Sequence, residues 1–276
     1  MTSSPPAKAS FDWRNLGVRA ASAVVLGGVA VFAVGHGGWP FSLIIFLAVA
    51  LLATEWGVMS TPRTPIRTSV AVSLAVLAGL VVAHLYSPRY GLVALGLVTC
   101  LATLVLRSVT RRIGDVAFGS IYIGLPTLAL IWLRGGEQGL GWTVLLFAVA
   151  WSADIGAFLV GNALKGPKLW PAFSPNKTWS GFFGALAAAT FAGLMADYGM
   201  DLAIGPGWAL AIGFFGGLAT MIGDLGESWL KRRFGVKDSG DLIPGHGGLL
   251  DRVDGLLLAV LAVAAARWLW SGGFGQ

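Results

Sequence analysis

"MIGDLGESWLKRRFGVKDSGDLIPGHGGLLDRVDGLLLAVLAVAA", Met221 to Ala265, sets a dense polar run between two apolar ones. Apolar blocks like its two flanks fill most of the chain. Of 276 residues, 56% are hydrophobic and 12% are charged, whereas about a quarter are charged in an ordinary soluble domain. Such a chain cannot cover a globular surface with charge. Its apolar blocks match the roughly 17–25 residues that a helix needs to cross a bilayer. They are continuous rather than alternating, which argues against a membrane β-barrel. The fold class that follows is all-α, a polytopic integral membrane protein.

Nine candidate spans are read, at 19–36, 40–58, 69–86, 91–107, 115–133, 142–164, 181–197, 207–224 and 254–270. Only "GHGG" separates the first two. The first block follows Lys8, Arg14 and Arg19, as the core of a signal peptide would. No small-x-small cleavage site follows it and a second span comes at once, so it is read as a helix. The single cysteine, Cys100, lies in an apolar block and excludes an intramolecular disulfide. The chain divides into a cytoplasmic segment 1–18, N-terminal spans 19–133 and a catalytic region 134–276 with polar loops 165–180 and 225–253.

Basic residues set the orientation. When loops are assigned alternately, sixteen of the nineteen Lys and Arg residues fall on one side, and only Arg89, Arg134 and Arg267 on the other. The N-terminus and both long polar loops are therefore expected in the cytoplasm. Trp142, Trp208, Trp268 and Trp270 sit near predicted span ends, as interfacial aromatics do.

The candidate chemistry lies in these loops. If the helix of the eighth span continues, Asp224, Ser228 and Lys231 share one face, with Arg232 at its flank. A carboxylate can hold a hard divalent cation, and lysine and arginine can hold phosphate oxygens. Basic residues alone are also what a positive-inside helix end carries. Gly247 and Gly248 follow His246, and closely spaced glycines let backbone N–H groups approach an anion. Asp251, Arg252 and Asp254 stand at the mouth of the ninth span. Helix capping explains one of those aspartates, but not the whole set. Asp154 lies inside the sixth span, where an ionisable group costs about 2.5–3.5 kcal/mol and faces protein or water rather than lipid. "SPNKTWSG", 174–181, brings Ser174, Lys177 and Thr178 to the start of the seventh span, and a helix N-terminus is a ready anion site. Glu55, His36 and His84 receive no role. The chain has neither a zinc-type Cys/His cluster nor a Walker-type "GxxxxGK[ST]". The implied chemistry is metal-assisted phosphoryl or nucleotidyl transfer to a membrane-embedded substrate.

"SWLKRRFGVKDSGDLIPGHGGLLDRVD", Ser228 to Asp254, resembles the signature of the CDP-diglyceride synthases, or phosphatidate cytidylyltransferases. The serine, the Lys-Arg and Lys-Asp pairs, the proline, the His-Gly-Gly and the closing Asp-Arg-x-Asp all stand at the family's spacing. "GDL" and "SPNKT" are similar too, and the resemblance is strong from about Asp154 onward. One departure is Ser180, where the family commonly has a glutamate in "KTxEG". The resemblance implies that CTP and phosphatidate give CDP-diacylglycerol and diphosphate, with Mg²⁺ and a second, monovalent ion such as K⁺. It implies Asp224 and Asp251 as metal ligands, with Asp254 assisting them. Lys231 and Arg232 would join them in catalysis. It places Ser174, Lys177, Thr178, Ser228, Lys237, His246, Gly247, Gly248 and Arg252 around the phosphates, and lets Asp154 line the pocket. The implied partners are CTP, phosphatidate and membrane lipid, without nucleic acid. A homodimer through the N-terminal spans is compatible with this reading, and the implied location is the inner (plasma) membrane. Three rivals are a CTP-dependent polyprenol kinase or another membrane phosphotransferase, a transporter, and a structural or assembly protein that has lost catalysis. The second predicts polar residues across the full membrane depth, whereas here they cluster on one side.

Overall fold

Proline and glycine punctuate the apolar blocks and set where each helix starts and stops. In the computed structural model, which describes residues 13–108, 113–243 and 247–272, the chain forms nine helices among the described residues. They are α1 (Trp13–His36), α2 (Gly38–Ser60), α3 (Pro65–Leu85), α4 (Pro88–Leu106), α5 (Ile113–Gly135), α6 (Gly139–Leu164), α7 (Trp179–Met200), α8 (Pro206–Phe234) and α9 (Leu250–Ser271). Helices α3, α4 and α8 open on proline, whose fixed φ suits a first turn and whose missing N–H is no loss there. Helices α8 and α9 end at Gly235 and Gly272, both in the left-handed region.

The nine predicted spans correspond to these nine helices. Eight of them, α2 to α9, are long and apolar enough to cross a membrane; the apolar part of α1, Val24–His36, is shorter. Most helices extend a few residues beyond the predicted limits, and two of these differences bring polar residues onto helices. Helix α8 runs ten residues past the predicted end at Asp224, and α9 begins at Leu250 instead of 254. Lysine, arginine and glutamate are good helix formers, so the polar sequence after Asp224 continues the helix out of the apolar zone. The loop 165–180 is also more ordered than expected. It folds as an antiparallel hairpin, β1 (Lys168–Trp170) with β2 (Ser174–Thr178), Lys168 opposite Thr178.

Helices α6 to α9 pack in sequence order, as do α2 to α4, and α5 lies between the two groups. Glycines bring several of these helices into close contact. A Cβ on Gly156 of α6 would stand 2.6 Å from Gly184 O of α7, and one on Gly223 of α8 would stand 2.7 Å from Asp254 O of α9. Between membrane helices such small residues are what allow dense packing, because lipid provides no hydrophobic drive for association. Trp56 of α2, wholly buried, fills the centre of the other group. Its indole N–H donates to Asp115 O of α5 at 2.8 Å, and its ring meets Phe234 of α8 edge-on.

Arginines tie the opposite end of the bundle. Arg134 Nε donates to Val34 O at 2.8 Å, and Arg267 donates to Leu133 O and Glu137 O at 2.7 Å each. Trp142, expected at the interface, is instead buried beneath the Arg267 guanidinium. Helix-end carbonyls there need a donor, and the stacked arginine supplies it.

The α8–α9 contact leaves no room for a side chain at Gly223. Gly223→Val is expected to lower stability by about 1–3 kcal/mol. Gly226→Ala, with nothing within 4 Å of an added Cβ, should be neutral or stabilising by up to about 1 kcal/mol. Thermal unfolding of both variants in detergent would check the contrast.

Candidate active site

Three helix ends and the hairpin gather the polar residues at one end of the bundle. The last turns of α8 carry Asp224, Glu227, Ser228 and Lys231. Asp224, Ser228 and Lys231 lie on one face, as their spacing requires. The first turns of α9 bring Asp251 and Asp254, and β2 brings Lys177.

Lys231 is the centre of this arrangement. Its ammonium lies 2.9 Å from Glu227 and 2.8 Å from Asp251. Glu227 is completely buried, and neither of its oxygens accepts an aligned hydrogen bond. Asp251 is the better satisfied partner. Besides Lys231, it accepts from the N–H of Ser239 at 3.0 and 3.2 Å and from the N–H of Gly248 at 2.9 Å. The amide of Gly248 is thus given to the protein's own carboxylate. Gly247 adopts φ +81°, a conformation in which other residues are strained. A Cβ on Gly248 would stand 2.0 Å from Ser239 Oγ. The glycine pair therefore permits a tight loop around Asp251.

Lys177 and Asp224 form a second ion pair, which joins the hairpin to α8. Both line a cleft of about 480 Å³ with Asp154, Asn162, Asn176 and Thr178. Asp154 stands ten residues before the end of α6, roughly three turns deep. It feels the charges of Asp224, Lys177 and Arg252. Thr178 caps α7, its hydroxyl accepting from Gly181 N–H at 3.2 Å. Ser180, at the position where a glutamate was expected, donates to Lys165 O and ties the end of α6 to the start of α7.

Other predicted residues stand further out. Arg232 is exposed and donates to Val236 O at 3.4 Å, closing the end of its own helix. Lys237 and Arg252 are exposed, while Ser174 and Ser228 are half-buried. His246 lies outside the described residues.

Two residues escaped the sequence reading. Glu227 stands one residue before the signature, and "GES" gives no sign that its side chain turns inward. The i, i+4 spacing to Lys231 was the available signal. Glu55 lies 184 residues from its partner Ser239 in the sequence. Its intramembrane charge was visible; its partner was not.

The charge balance bears on a metal. Asp154, Asp224, Glu227, Asp251 and Asp254 are five carboxylates set against three cations, Lys177, Lys231 and Arg252. Asp254 feels the charges of Asp224 and Glu227 and lies within hydrogen-bond reach of Glu227. Carboxylates this close need a proton or a cation between them. Among the described residues no three of these groups close around a single point. Their hard oxygens and their excess negative charge nonetheless fit a divalent ion of the Mg²⁺ type.

Lys231 compensates two buried acids, so Lys231→Met should destabilise the protein by about 3–5 kcal/mol. Arg232→Met, one residue away and exposed, should shift stability by no more than about 0.5 kcal/mol. Melting temperatures of the purified variants in detergent would check both.

A profile of the Cytidylyltransferase family matches residues 17–270. The chain is 40% identical over 268 residues to the phosphatidate cytidylyltransferase of Brucella suis biovar 1, covering 95% of each. It is 40% identical over 150 residues to the phosphatidate cytidylyltransferase of Bacillus subtilis, covering 54% of this chain and 56% of that one. To the Staphylococcus aureus (strain COL) phosphatidate cytidylyltransferase it is 39% identical over 143 residues, 50% of this chain and 53% of that one. With a match over nearly its whole length, and with the signature's charged residues gathered at one end of a membrane-type bundle, this chain belongs to the cytidylyltransferase family.

Proposed function

We propose that this protein transfers a cytidylyl group from CTP to phosphatidate, giving CDP-diacylglycerol and diphosphate. A phosphate oxygen of the lipid forms a bond to the α-phosphorus of CTP. The bond from that phosphorus to the bridging oxygen breaks, and diphosphate leaves with its electron pair. The observation that carries this reading is the junction of two features: a cleft containing Lys177 and a cluster of buried acids set beside it on α8 and α9. The cleft's volume lies within the roughly 300–1,000 Å³ usual for small-molecule sites.

The residues divide the work by charge. Lys177 and Lys231 face the acids and provide cations to triphosphate oxygens; each would exchange a carboxylate for a phosphate. Ser174, Thr178, Ser228, Lys237, His246, Gly247 and Arg252 are proposed around the same phosphates. For Gly248 we favour a supporting part, since its N–H serves Asp251. Asp154 would shape the wall of the cleft. Mg²⁺ would be held by Asp224 and Asp251, with Asp254 beside them, and a monovalent ion such as K⁺ would be the second. When bound, Mg²⁺ offsets charge building on the α-phosphoryl group and the leaving diphosphate. The lipid phosphate is already anionic, so no general base is needed.

The bundle end carrying the site is proposed to face the cytoplasm, where CTP is found. The distribution of basic residues supports this, and the inner membrane is the proposed location. Phosphatidate would approach laterally from the adjoining leaflet.

Purified protein in detergent, given labelled CTP, phosphatidate and Mg²⁺, is expected to place label in a lipid. Asp251→Asn should lower that rate by about a hundredfold or more, because it loses the charge facing Lys231. Omission of Mg²⁺ should abolish transfer. Label absent from phosphatidate products, with a polyprenol accepting phosphate instead, would replace this reading with a kinase.

A further inference from the structure

We propose that Glu55, on α2 in the N-terminal half, is a positioning residue for the site. It fixes the signature loop and through it the place of Asp251. The proposal rests on the function proposed above and assigns a part in it to a helix outside the signature.

Glu55 is buried five residues before the end of α2. Three donors converge on its carboxylate, all from the signature loop. Leu249 N–H donates to Oε1 at 2.7 Å, Leu250 N–H to Oε2 at 2.8 Å, and the Ser239 hydroxyl to Oε2 at 3.1 Å. Helix α9 begins at Leu250, and its own N-cap, Leu249, provides no side-chain bond. Amides at a helix start lack partners within the helix and favour a negative charge. Glu55 supplies both needs from another helix.

The loop is shaped around that carboxylate. A Cβ on Gly240 would stand 3.3 Å from Glu55 Cγ, and one on Gly248 would stand 2.7 Å from Glu55 Oε2. Ser239 connects the two acids: its hydroxyl serves Glu55 and its N–H serves Asp251. Asp251 in turn holds Lys231. Glu55 thereby reaches the proposed catalytic groups through one residue.

This arrangement also bears on where phosphate binds. A helix N-terminus with free amides is an anion site. Here the amides of Gly248, Leu249 and Leu250 are taken by Asp251 and Glu55, so phosphate is directed toward the lysines.

The test compares Glu55→Gln, Glu55→Asp and Ser239→Ala with the parent, as full-length protein in detergent. Gln keeps the shape but presents an NH2 group to donors. Amide hydrogen exchange over residues 239–252 should speed up in Glu55→Gln, with α6 and α7 unchanged. The kcat should fall by about a hundredfold, as displaced reacting groups cause, while KM for CTP stays near the parent's. Glu55→Asp, which keeps the charge, should recover part of kcat. Ser239→Ala should lose less than Glu55→Gln, since its N–H to Asp251 remains. Parent-like kcat in Glu55→Gln would overturn the proposal, as would faster exchange spread evenly over all helices. If Glu55→Gln does not fold, Glu55→Asp and Ser239→Ala decide: local loop exchange with reduced kcat supports the proposal, and parent-like values in both overturn it. Exchange reads the hold on the loop without any turnover, so a parent lacking cytidylyl transfer would count against the proposed function alone.

Discussion

Lys231 sits between Glu227 and Asp251, and the active end of the bundle depends on that shared ammonium. Charges cannot be left uncompensated inside a membrane protein. One lysine compensates two acids, one on its own helix and one on the next. This couples the end of α8 to the start of α9. The close backbone approach at Gly223 makes the coupling short enough to hold, and the Lys177–Asp224 pair extends it to the hairpin and α7. The acids outnumber the local cations, which gives the site an affinity for further positive charge. That state suits the proposed binding of phosphates together with a metal.

The two ends of the bundle use charge differently. At the far end, Arg134 and Arg267 give their donors to backbone carbonyls, and Arg267 also stacks on Trp132 and Trp142, so they brace helix termini. At the other end, lysines face carboxylates, contacts that a phosphate could replace under the proposed function. Both patterns come from basic residues near span ends, and only the available partners separate them.

Much of this was legible in the sequence. Continuous apolar blocks gave the helix number, and the spacing of Asp224, Ser228 and Lys231 gave their common face once the helix continued. The fixed polar positions from Ser228 to Asp254 pointed to the region of the candidate site. What stayed hidden depended on contacts between distant segments. Nothing near Glu55 in the chain shows that it meets the start of α9. The glycines at 247 and 248 suggested a cradle for anions because glycine permits one. In the fold Gly247 makes room for Asp251 and Gly248 for Ser239 and Glu55, and the amide at 248 is already used. Trp142 looked interfacial from its position near a span end, yet a buried arginine claims it. Thr178 looked like a polar group available to a ligand, and its hydroxyl caps α7, while Ser180 joins the end of α6 to the start of α7.

The central claim is that this site moves a nucleotidyl group, rather than a terminal phosphoryl group, onto a membrane lipid. The most direct test gives the purified protein CTP labelled at either the α- or the γ-phosphate, with phosphatidate as acceptor, and asks which label enters the lipid. The account predicts α-label in the lipid and γ-label only in released diphosphate. γ-Label in the lipid, with α-label left in CDP, would contradict it.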